Sequence, residues 1–342
     1  PPTMLSVAEP APDPTAPSGE VAPTEPSLAF DLVVSSFDFE GGIEQTLVDI
    51  AGAAESTGFR ALLVMDHFRQ VPQVGRAWDP MLESYTTLAY LAAKTDRLRL
   101  ATLVTGVEHR NVGLLAKIFA TLDVLSGGRA ECGLGAGWFG AEQAAYGYPV
   151  NSDRVRLDAL EDALQALPLL WGPGSKSFEG RTLSIPEALA YPRPIQDPVP
   201  ILVGGGGEKR TLRLAAAYAD ACNVMGDPAV VEHKIEVLRA HCAELERDPS
   251  EITVTTLSPI VHAGSGRQLA DLIESMRPAN RSAEAFAAAT NAATTDEHVA
   301  RFRQLAELGV GRVCVALTGN TGPARVEAFA EVIEAFPSDR AP

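Results

Sequence analysis

Asp66 and His67, in the stretch LLVMDHFRQ, are adjacent residues whose types could do chemistry. They end a short apolar run of the kind that forms a buried strand, so their side chains would lie at the strand's carboxyl end. An imidazole titrates near neutrality, so His67 could donate or accept a proton, and Asp66 could orient a ligand or a backbone group. A satisfied structural pair is the alternative, and the sequence leaves both interpretations open.

Four consecutive glycines in ILVGGGGEKRTLRLAA, residues 201–216, form a second candidate site. The spacing fits neither the dinucleotide fingerprint, whose last glycine would be Lys209, nor the Walker loop, in which a glycine rather than Glu208 precedes the lysine. What remains is a strand, a glycine turn and a helix N-terminus, where backbone N–H groups and the helix dipole attract anions. With Lys209, Arg210 and Arg213 nearby, the pattern favours a phosphate site. A tight turn with solvated basic side chains is the alternative.

A third glycine-rich stretch, GLGAGWFGAEQ, also lacks the dinucleotide spacing, because Trp138 occupies the place of its last glycine. Glycines at 133, 135 and 137 would leave one face of a strand bare. That face could accept a flat ring beside Trp138, or it could only accommodate a bend of the backbone. Both interpretations stay open at this point.

The elements that must position these residues alternate along the chain from Leu28 onward. Short apolar runs are followed by segments with the helical period, and glycines close several of these segments. Eight strands are predicted: Phe30–Ser36, Ala61–His67, Leu98–Gly106, Ala130–Gly137, Pro200–Gly205, Ala221–Gly226, Ile252–Ala263 and Gly311–Gly319. The pattern indicates an α/β fold, a (β/α)8 TIM barrel, with a doubly wound open sheet as the alternative. An irregular insertion, Gly172–Pro198, separates the fourth helix from the fifth strand.

Composition limits the classes of partner. The formal net charge of -16 argues against an extended surface for nucleic acid or an anionic membrane. The four cysteines are widely spaced and the six histidines are scattered, so buried thiols are expected and no metal site is predicted. Without a leader pattern or a long apolar run, we expect a cytoplasmic protein. Residues 1–27, rich in Pro and Ala, are predicted to be a disordered tail, and residues 28–338 a single barrel domain.

Several stretches together give the sequence a family resemblance. The segments VMDHF, DPMLESYTTLAYLAAKTDRLRLATLVTGVEHRN, SGGRAECGLGAGWF and YPRPIQDPVPILVGGGGEKRTLRLAAAYADACN resemble the luciferase-like monooxygenase superfamily, in its branch of oxidoreductases that depend on coenzyme F420, a deazaflavin. The resemblance extends from Leu28 to Phe336. It implies a (β/α)8 barrel, usually a homodimer, that holds a flavin-like ring at the carboxyl ends of the strands and the phosphate tail near the glycine turn.

By motif match, the resemblance assigns each candidate residue a role. Asp66 and His67 line the ring pocket, with His67 as proton donor. The coenzyme contacts are Asp66, Thr102, Leu103, Gly135, Ala136, Gly137, Gly205, Gly206, Gly207, Glu208, Lys209 and Arg210, and a non-proline cis peptide bond is expected at Thr102–Leu103. Phe37, Trp138 and the insertion around Phe178–Tyr191 are expected to shape the substrate pocket. Some relatives carry a catalytic glutamate where this sequence has Trp138, and Glu142, one helical turn later, is a weak substitute for it.

The leading hypothesis is hydride transfer between coenzyme F420 and a small organic substrate, with proton transfer by His67. The first alternative is an FMN-dependent monooxygenase, because the same barrel can hold either ring. The second is a non-catalytic barrel that binds a phosphate ligand, in which Asp66 and His67 are structural.

Overall fold

The computed structural model describes residues 27–319 and 321–337, so the predicted disordered tail lies almost wholly outside the described part of the chain. Thirteen strands occur in those residues: β1 (Ala29–Val34), β2 (Ala61–Val64), β3 (Arg99–Thr102), β4 (Thr105–Gly106), β5 (Ala130–Gly135), β6 (Lys176–Glu179), β7 (Ser184–Ala188), β8 (Ile201–Gly204), β9 (Ala221–Val224), β10 (Thr253–Ile260), β11 (His262–Ala263), β12 (Ala293–Thr294) and β13 (Val310–Leu317).

Nine of these strands form one parallel sheet in the order β3-β2-β1-β13-β10-β9-β8-β5-β4. The sheet closes on itself because β3 also pairs with β5, Leu100 opposite Ala130. Since β3 and β4 are two parts of one interrupted strand, the sheet is an eight-stranded barrel. The predicted (β/α)8 fold is therefore confirmed, and the closure rules out the open sheet.

Twelve α-helices flank the barrel in the described residues: α1 (Ile43–Thr57), α2 (Ser84–Ala92), α3 (Val112–Leu125), α4 (Gly140–Ala145), α5 (Asp153–Trp171), α6 (Thr211–Tyr218), α7 (Pro228–Glu244), α8 (Gly266–Met276), α9 (Ala283–Ala289), α10 (Thr295–Glu307), α11 (Pro323–Glu327) and α12 (Ala330–Glu334). Helix α1 illustrates why the periodicity was informative. Its buried face repeats at helical spacing, and Gly58, at φ 96°, closes it through a bond from its N–H to the carbonyl of Ala54.

Two excursions interrupt the repeat. Within the predicted insertion, β6 and β7 form an antiparallel hairpin. The carboxylate of Asp162 on α5 accepts hydrogen bonds from the backbone N–H groups of Arg181, Thr182 and Leu183, which connect the two strands. The sequence did not predict the second excursion. Between β10 and β13 the chain adds the β11–β12 pair and helices α8 and α9.

Alternate residues of the strands point into the barrel and form layers. At the amino ends of the strands the layer is ionic: Asp31 and Glu131 accept hydrogen bonds from Arg60, and Arg99 and Arg312 also contact Glu131. Burial alone would raise the pKa of Glu131, but the guanidinium groups around it hold that pKa at about 2. Above this ionic layer lies an apolar layer formed by Val33, Leu63, Ala101 and Cys314.

All four cysteines are buried free thiols, as the sequence predicted. None of the helices in the described residues combines the length and the apolarity that crossing a bilayer requires.

Two buried imidazoles lie where β11 meets α10. The rings of His262 and His298 are 5.6 Å apart between centroids, and His298 stacks on Phe302. In the described residues, neither Nδ1 atom has a hydrogen-bond partner. Because burial disfavours the imidazolium form, the pKa of each histidine is lowered to about 4. The fold therefore requires both histidines to be neutral.

This requirement predicts how stability depends on pH. Below the ordinary histidine pKa of 6.5 the unfolded chain binds protons that the folded chain does not, so the free energy of unfolding falls as the pH drops from there towards 4. Near pH 5 the loss should be about 2 kcal/mol per histidine. Urea unfolding of wild type and of His298→Gln at neutral pH and near pH 5 measures this loss of unfolding free energy. The variant should show about half of the loss that wild type shows. His233→Gln, at an exposed imidazole, is the control; equal pH dependence in all three proteins would contradict the prediction.

Candidate active site

A cavity of about 1070 Å³ opens at the carboxyl ends of the barrel strands. It begins above the apolar layer of the barrel interior. The residues that point into it from the strand ends are Ser35, Met65, Leu103, Gly135 and Ala316. Loops after β1, β2 and β5 form its walls, so this cavity lies where the sequence predicted the site, at the carboxyl ends of the strands.

His67 lies on one wall of this cavity and is held by Glu142. The Nδ1 atom of His67 is 2.8 Å from Oε2 of Glu142. The other oxygen of Glu142 accepts the backbone N–H groups of Phe68 and Arg69 at 2.8 and 3.1 Å. The Glu142 side chain is fully buried, in the first turn of α4. One carboxylate thus fixes both the imidazole and the loop that carries it.

The electrostatics of this pair decide the state of the imidazole. Burial tends to raise the pKa of Glu142, but the hydrogen bond and charge of His67 and the two backbone N–H groups lower it below its ordinary value. An ionised Glu142 is an acceptor only, so Nδ1 of His67 carries the proton that points to it. Nε2 is left as the ring nitrogen that can exchange a proton with a ligand in the cavity.

Asp66 also borders the cavity, but its carboxylate is occupied by protein groups. Arg110 donates two hydrogen bonds to it, at 2.6 and 2.9 Å, and Ser84 donates a third at 2.6 Å. Nδ1 of His109 lies 3.6 Å away. Although burial would raise the pKa of Asp66, His109 and Arg110 hold it at about 2. Asp66 is therefore a fixed anion that anchors this wall and cannot donate a proton near neutral pH.

The third barrel strand is interrupted beside the cavity. The non-proline cis peptide bond joins Leu103 to Val104, so the predicted position, Thr102–Leu103, was wrong by one residue. The hydrogen-bond ladder explains the difference, because the N–H of Leu103 still bonds to the carbonyl of Val64 and keeps the strand regular up to that point. Leu103 and Val104 line the cavity, whereas the Thr102 side chain is buried against Thr105 and the carbonyl of Gly133.

The glycines of β5 serve two purposes. A Cβ at Gly133 would lie 2.0 Å from the carbonyl oxygen of Thr102, and one at Gly135 would lie 2.7 Å from a methyl group of Val104. These two glycines accommodate the interrupted strand, which is the second interpretation offered by the sequence. Gly135, Ala136 and Gly137 nevertheless also border the cavity, as the first interpretation required.

The glycine turn after β8 differs from its prediction in two respects. Gly205 borders the cavity, whereas Gly206, Gly207, Glu208 and Lys209 are exposed and do not line it. Helix α6 begins at Thr211, so Glu208, Lys209 and Arg210 separate the glycines from the first turn of the helix.

Most of the basic side chains predicted for phosphate are paired with acids. Arg210 forms ion pairs with Asp158 and Glu161 on α5 and lines a separate cavity of about 620 Å³ there. Glu208 itself pairs with Lys234 and His233. In the described part of the chain, the Lys209 side chain alone of the predicted set has no such partner.

Sequence reasoning missed Lys234, which reaches the glycine turn from α7. Its Cε lies 3.7 Å from the position that a Cβ of Gly206 would occupy. Lys234 belongs to the helix after the next strand, and no motif connects it to the glycines. Glu142 was undervalued for a similar reason, because 75 residues separate it from His67.

The predicted substrate wall is partly corrected. Phe37 is buried in the core against Phe39, and its neighbours Ser36, Asp38 and Phe39 line the cavity instead. Beyond Val34 the chain leaves the barrel, so the strict alternation of the strand no longer decides which side chains face inwards.

Two other parts of the predicted wall have opposite outcomes. Trp138 lines the cavity, is 55% exposed and stacks on Phe139. No described residue of the Phe178–Tyr191 insertion lines it; the loop that begins at Val71 and includes Val74 and Asp79 takes that place.

Comparison with known proteins gives the chain a family. A family model described as luciferase-like monooxygenase matches residues 43–309. An F420-dependent glucose-6-phosphate dehydrogenase of Kineococcus radiotolerans is 36% identical over 163 residues, 47% of each chain. An FMNH(2)-dependent dimethylsulfone monooxygenase of Pseudomonas putida is 28% identical over 226 residues, 64% of this chain and 59% of the relative. The chain thus spans about half of the length of these two relatives.

The fold has close structural counterparts. The structure of an F420-dependent secondary alcohol dehydrogenase in complex with an F420-acetone adduct superimposes with a TM-score of 0.74 at 21% identity, covering 91% of this chain and all of that one.

The geometry around Glu142 predicts a change of histidine tautomer. In Glu142→Gln, the amide oxygen is needed by the N–H groups of Phe68 and Arg69, so the amide NH₂ must face Nδ1 of His67. Nδ1 then becomes an acceptor and the proton moves to Nε2. NMR of the imidazole nitrogens measures the tautomer.

Glu108→Gln, which changes a nearby carboxylate that bonds to Asn151 rather than to His67, is the matched control and should keep the Nδ1–H tautomer. The Glu142→Ala variant should lose about 2 to 4 kcal/mol of unfolding free energy because three donors lose their acceptor. An unchanged His67 tautomer in Glu142→Gln would contradict the assignment.

Proposed function

The chain belongs to the luciferase-like monooxygenase family, and from that premise we propose that it is an oxidoreductase that transfers a hydride between coenzyme F420 and a small organic substrate, with His67 as proton donor. The observation that carries the proposal is the His67–Glu142 pair on the wall of the large cavity at the strand ends. It combines space for a ring and a substrate with one imidazole whose proton is positioned by a buried anion.

The residues present fit such a coenzyme. A cavity of about 1070 Å³ has room for a flat tricyclic ring with a substrate beside it. Leu103, Val104 and the bare backbone of residues 135–137 would hold the ring. Gly206, Gly207, Lys209 and Lys234 would hold the phosphate tail, through backbone N–H groups and two ammonium groups. When bound, F420 supplies the hydride chemistry.

The chain's own residues would then manage the proton. In its imidazolium form, His67 donates the Nε2 proton to the substrate atom that gains negative charge as the hydride arrives. Its Nδ1–H meanwhile remains hydrogen-bonded to the Glu142 carboxylate. The Glu142 carboxylate stabilises the positive charge of that imidazolium. Asp66 acts one step away, because its bonds with Arg110 and Ser84 fix the loop that carries His67.

The alternative is an FMN-dependent monooxygenase, supported by the Pseudomonas putida relative. Oxygen-activating flavins need a pocket that excludes water. Here Trp138 is 55% exposed, and Asp38 and Glu40 on the cavity rim are exposed as well. A cavity so open to solvent favours hydride transfer over oxygen activation.

The homodimer implied by the family resemblance is also a proposal. Five large apolar side chains are more than half exposed on α3 and on the neighbouring insertion: Leu114, Leu125, Leu189, Tyr191 and Ile195. They offer an apolar surface to a second copy of the chain.

The coenzyme assignment predicts a binding preference. Titration of the full chain with F420 and with FMN, followed by tryptophan fluorescence, should give at least roughly tenfold tighter binding of F420. Lys234→Ala should weaken F420 binding by about tenfold, because it removes a charge-assisted contact with phosphate. Lys94→Ala, a lysine that packs over the Tyr90 ring, is the control. Tight FMN binding without any response to F420 would exclude the assignment.

The role of His67 predicts a separation of binding from turnover. His67→Ala should keep the F420 affinity but slow hydride transfer from reduced F420 to a panel of ketones and aldehydes by about 10² to 10⁴-fold. The reappearance of oxidised deazaflavin absorbance measures the rate. Gln304→Ala, at an exposed position of α10 that does not line the cavity, should react like wild type. If His67→Ala retained full turnover, His67 would be structural, as the non-catalytic hypothesis requires.

A further inference from the structure

We propose that the substrate is an uncharged or positively charged organic molecule with a flat apolar part, and that phosphorylated and carboxylated molecules are excluded. The reaction in which this substrate takes part rests on the proposed function. The charge of the substrate is inferred from the lining of the cavity alone.

The charged groups that border the cavity are unbalanced. Among the described residues, no lysine or arginine lines it, whereas five carboxylates do: Asp38, Glu40, Asp66, Asp79 and Glu142. Three of these carboxylates have a basic partner in the protein. The pairs are Asp66 with Arg110, Asp79 with Arg76 and Glu142 with His67.

Asp38 and Glu40 are the two that remain. Both lie on the exposed segment that follows β1, at the rim of the cavity, and neither forms an ion pair with any described residue. An anion that approaches the opening therefore meets two uncompensated negative charges.

The described lining of the cavity offers such an anion no lysine or arginine. A phosphate or carboxylate that leaves water needs a cation or several hydrogen-bond donors, since burial of an unpaired charge is costly. The His67 imidazole lines the cavity, but its Nδ1–H is already donated to Glu142 at 2.8 Å. The F420-dependent glucose-6-phosphate dehydrogenase among the relatives is named for a phosphorylated substrate. This cavity provides no cation for that phosphate.

The remaining wall suits a flat or cationic group. Trp138 is 55% exposed, and its ring is stacked on Phe139 on one side. Phe39 lines the same cavity and is partly buried. An aromatic face in a cavity that also has two unpaired carboxylates at its rim attracts apolar rings and ammonium groups, the latter by cation–π interaction.

Fluorescence quenching tests the charge around Trp138 without any substrate. In a Trp78→Phe background, Trp138 is the exposed tryptophan among the described residues, because Trp171 is buried. Quenching by iodide, caesium and acrylamide is measured at constant ionic strength in this background and in the same protein carrying Asp38→Asn and Glu40→Gln.

Relative to acrylamide, iodide quenching should rise at least roughly twofold in the charge-removed protein and caesium quenching should fall. The control carries Glu236→Gln and Glu307→Gln, which remove two charges from exposed helix positions that do not line the cavity, and should quench like the background protein.

Ligand binding tests the substrate class directly. Benzylammonium, benzyl alcohol and benzoate, which differ chiefly in charge, are titrated against the Trp78→Phe protein by Trp138 fluorescence. Benzoate should bind at least roughly tenfold more weakly than benzyl alcohol, and benzylammonium at least as tightly as benzyl alcohol. Removal of the Asp38 and Glu40 charges should narrow the difference between benzoate and benzyl alcohol.

Three results would overturn the proposal: benzoate binding as tightly as benzyl alcohol, a difference that persists after Asp38 and Glu40 are neutralised, or no binding of any of the three. None of these measurements uses a coenzyme or turnover. Failure of F420 to bind or to transfer a hydride would therefore refute the proposed function and leave the charge preference standing.

Discussion

The buried carboxylate of Glu142 is the interaction on which the candidate site depends. Burial of an isolated anion is strongly unfavourable, and here it is offset by one imidazole and two backbone N–H groups, all from the loop after β2. The same atoms cannot be satisfied if that loop moves away from α4. Glu142 therefore couples the second and fourth units of the barrel, and this coupling gives His67 both its orientation and its tautomer.

The barrel interior explains why the cavity lies at one end only. At the amino ends of the strands, guanidinium groups surround Asp31 and Glu131, fill the cross-section and hold the pKa of Glu131 low. The middle layer is filled by small and medium apolar side chains. At the carboxyl ends, Gly135 and Ala316 leave space, and the interrupted third strand occupies part of it through Val104. The barrel is therefore closed by ionic side chains at the amino ends of its strands and open at the carboxyl ends. The carboxyl ends are where (β/α)8 barrels place their active sites.

Local patterns predicted the fold and the position of His67, because strand and helix periods act over a few residues and a strand end is visible in the sequence. Contacts between distant units were beyond those patterns. The ion pairs of Glu208 with Lys234 and of Arg210 with Asp158 depend on how neighbouring helices pack, so the basic run next to the glycines did not show which of its side chains are paired with acids. The burial of Phe37 has a similar origin, since alternation predicts facing only while the chain remains paired in a sheet.

The distribution of charge around the cavity also orients whatever enters it. In the turn after β8, Lys234 pairs with Glu208 and Lys209 forms no ion pair with a described residue, whereas the rim after β1 has Asp38 and Glu40 without a cationic partner among the described residues. In the sheet, β8 and β1 are separated by β9, β10 and β13, so they lie on opposite sides of the barrel. The tail of the anionic coenzyme proposed above would therefore be attracted to the turn after β8 and repelled from the rim after β1. The charge distribution that we infer to exclude anionic substrates would thus also favour a single orientation of that coenzyme.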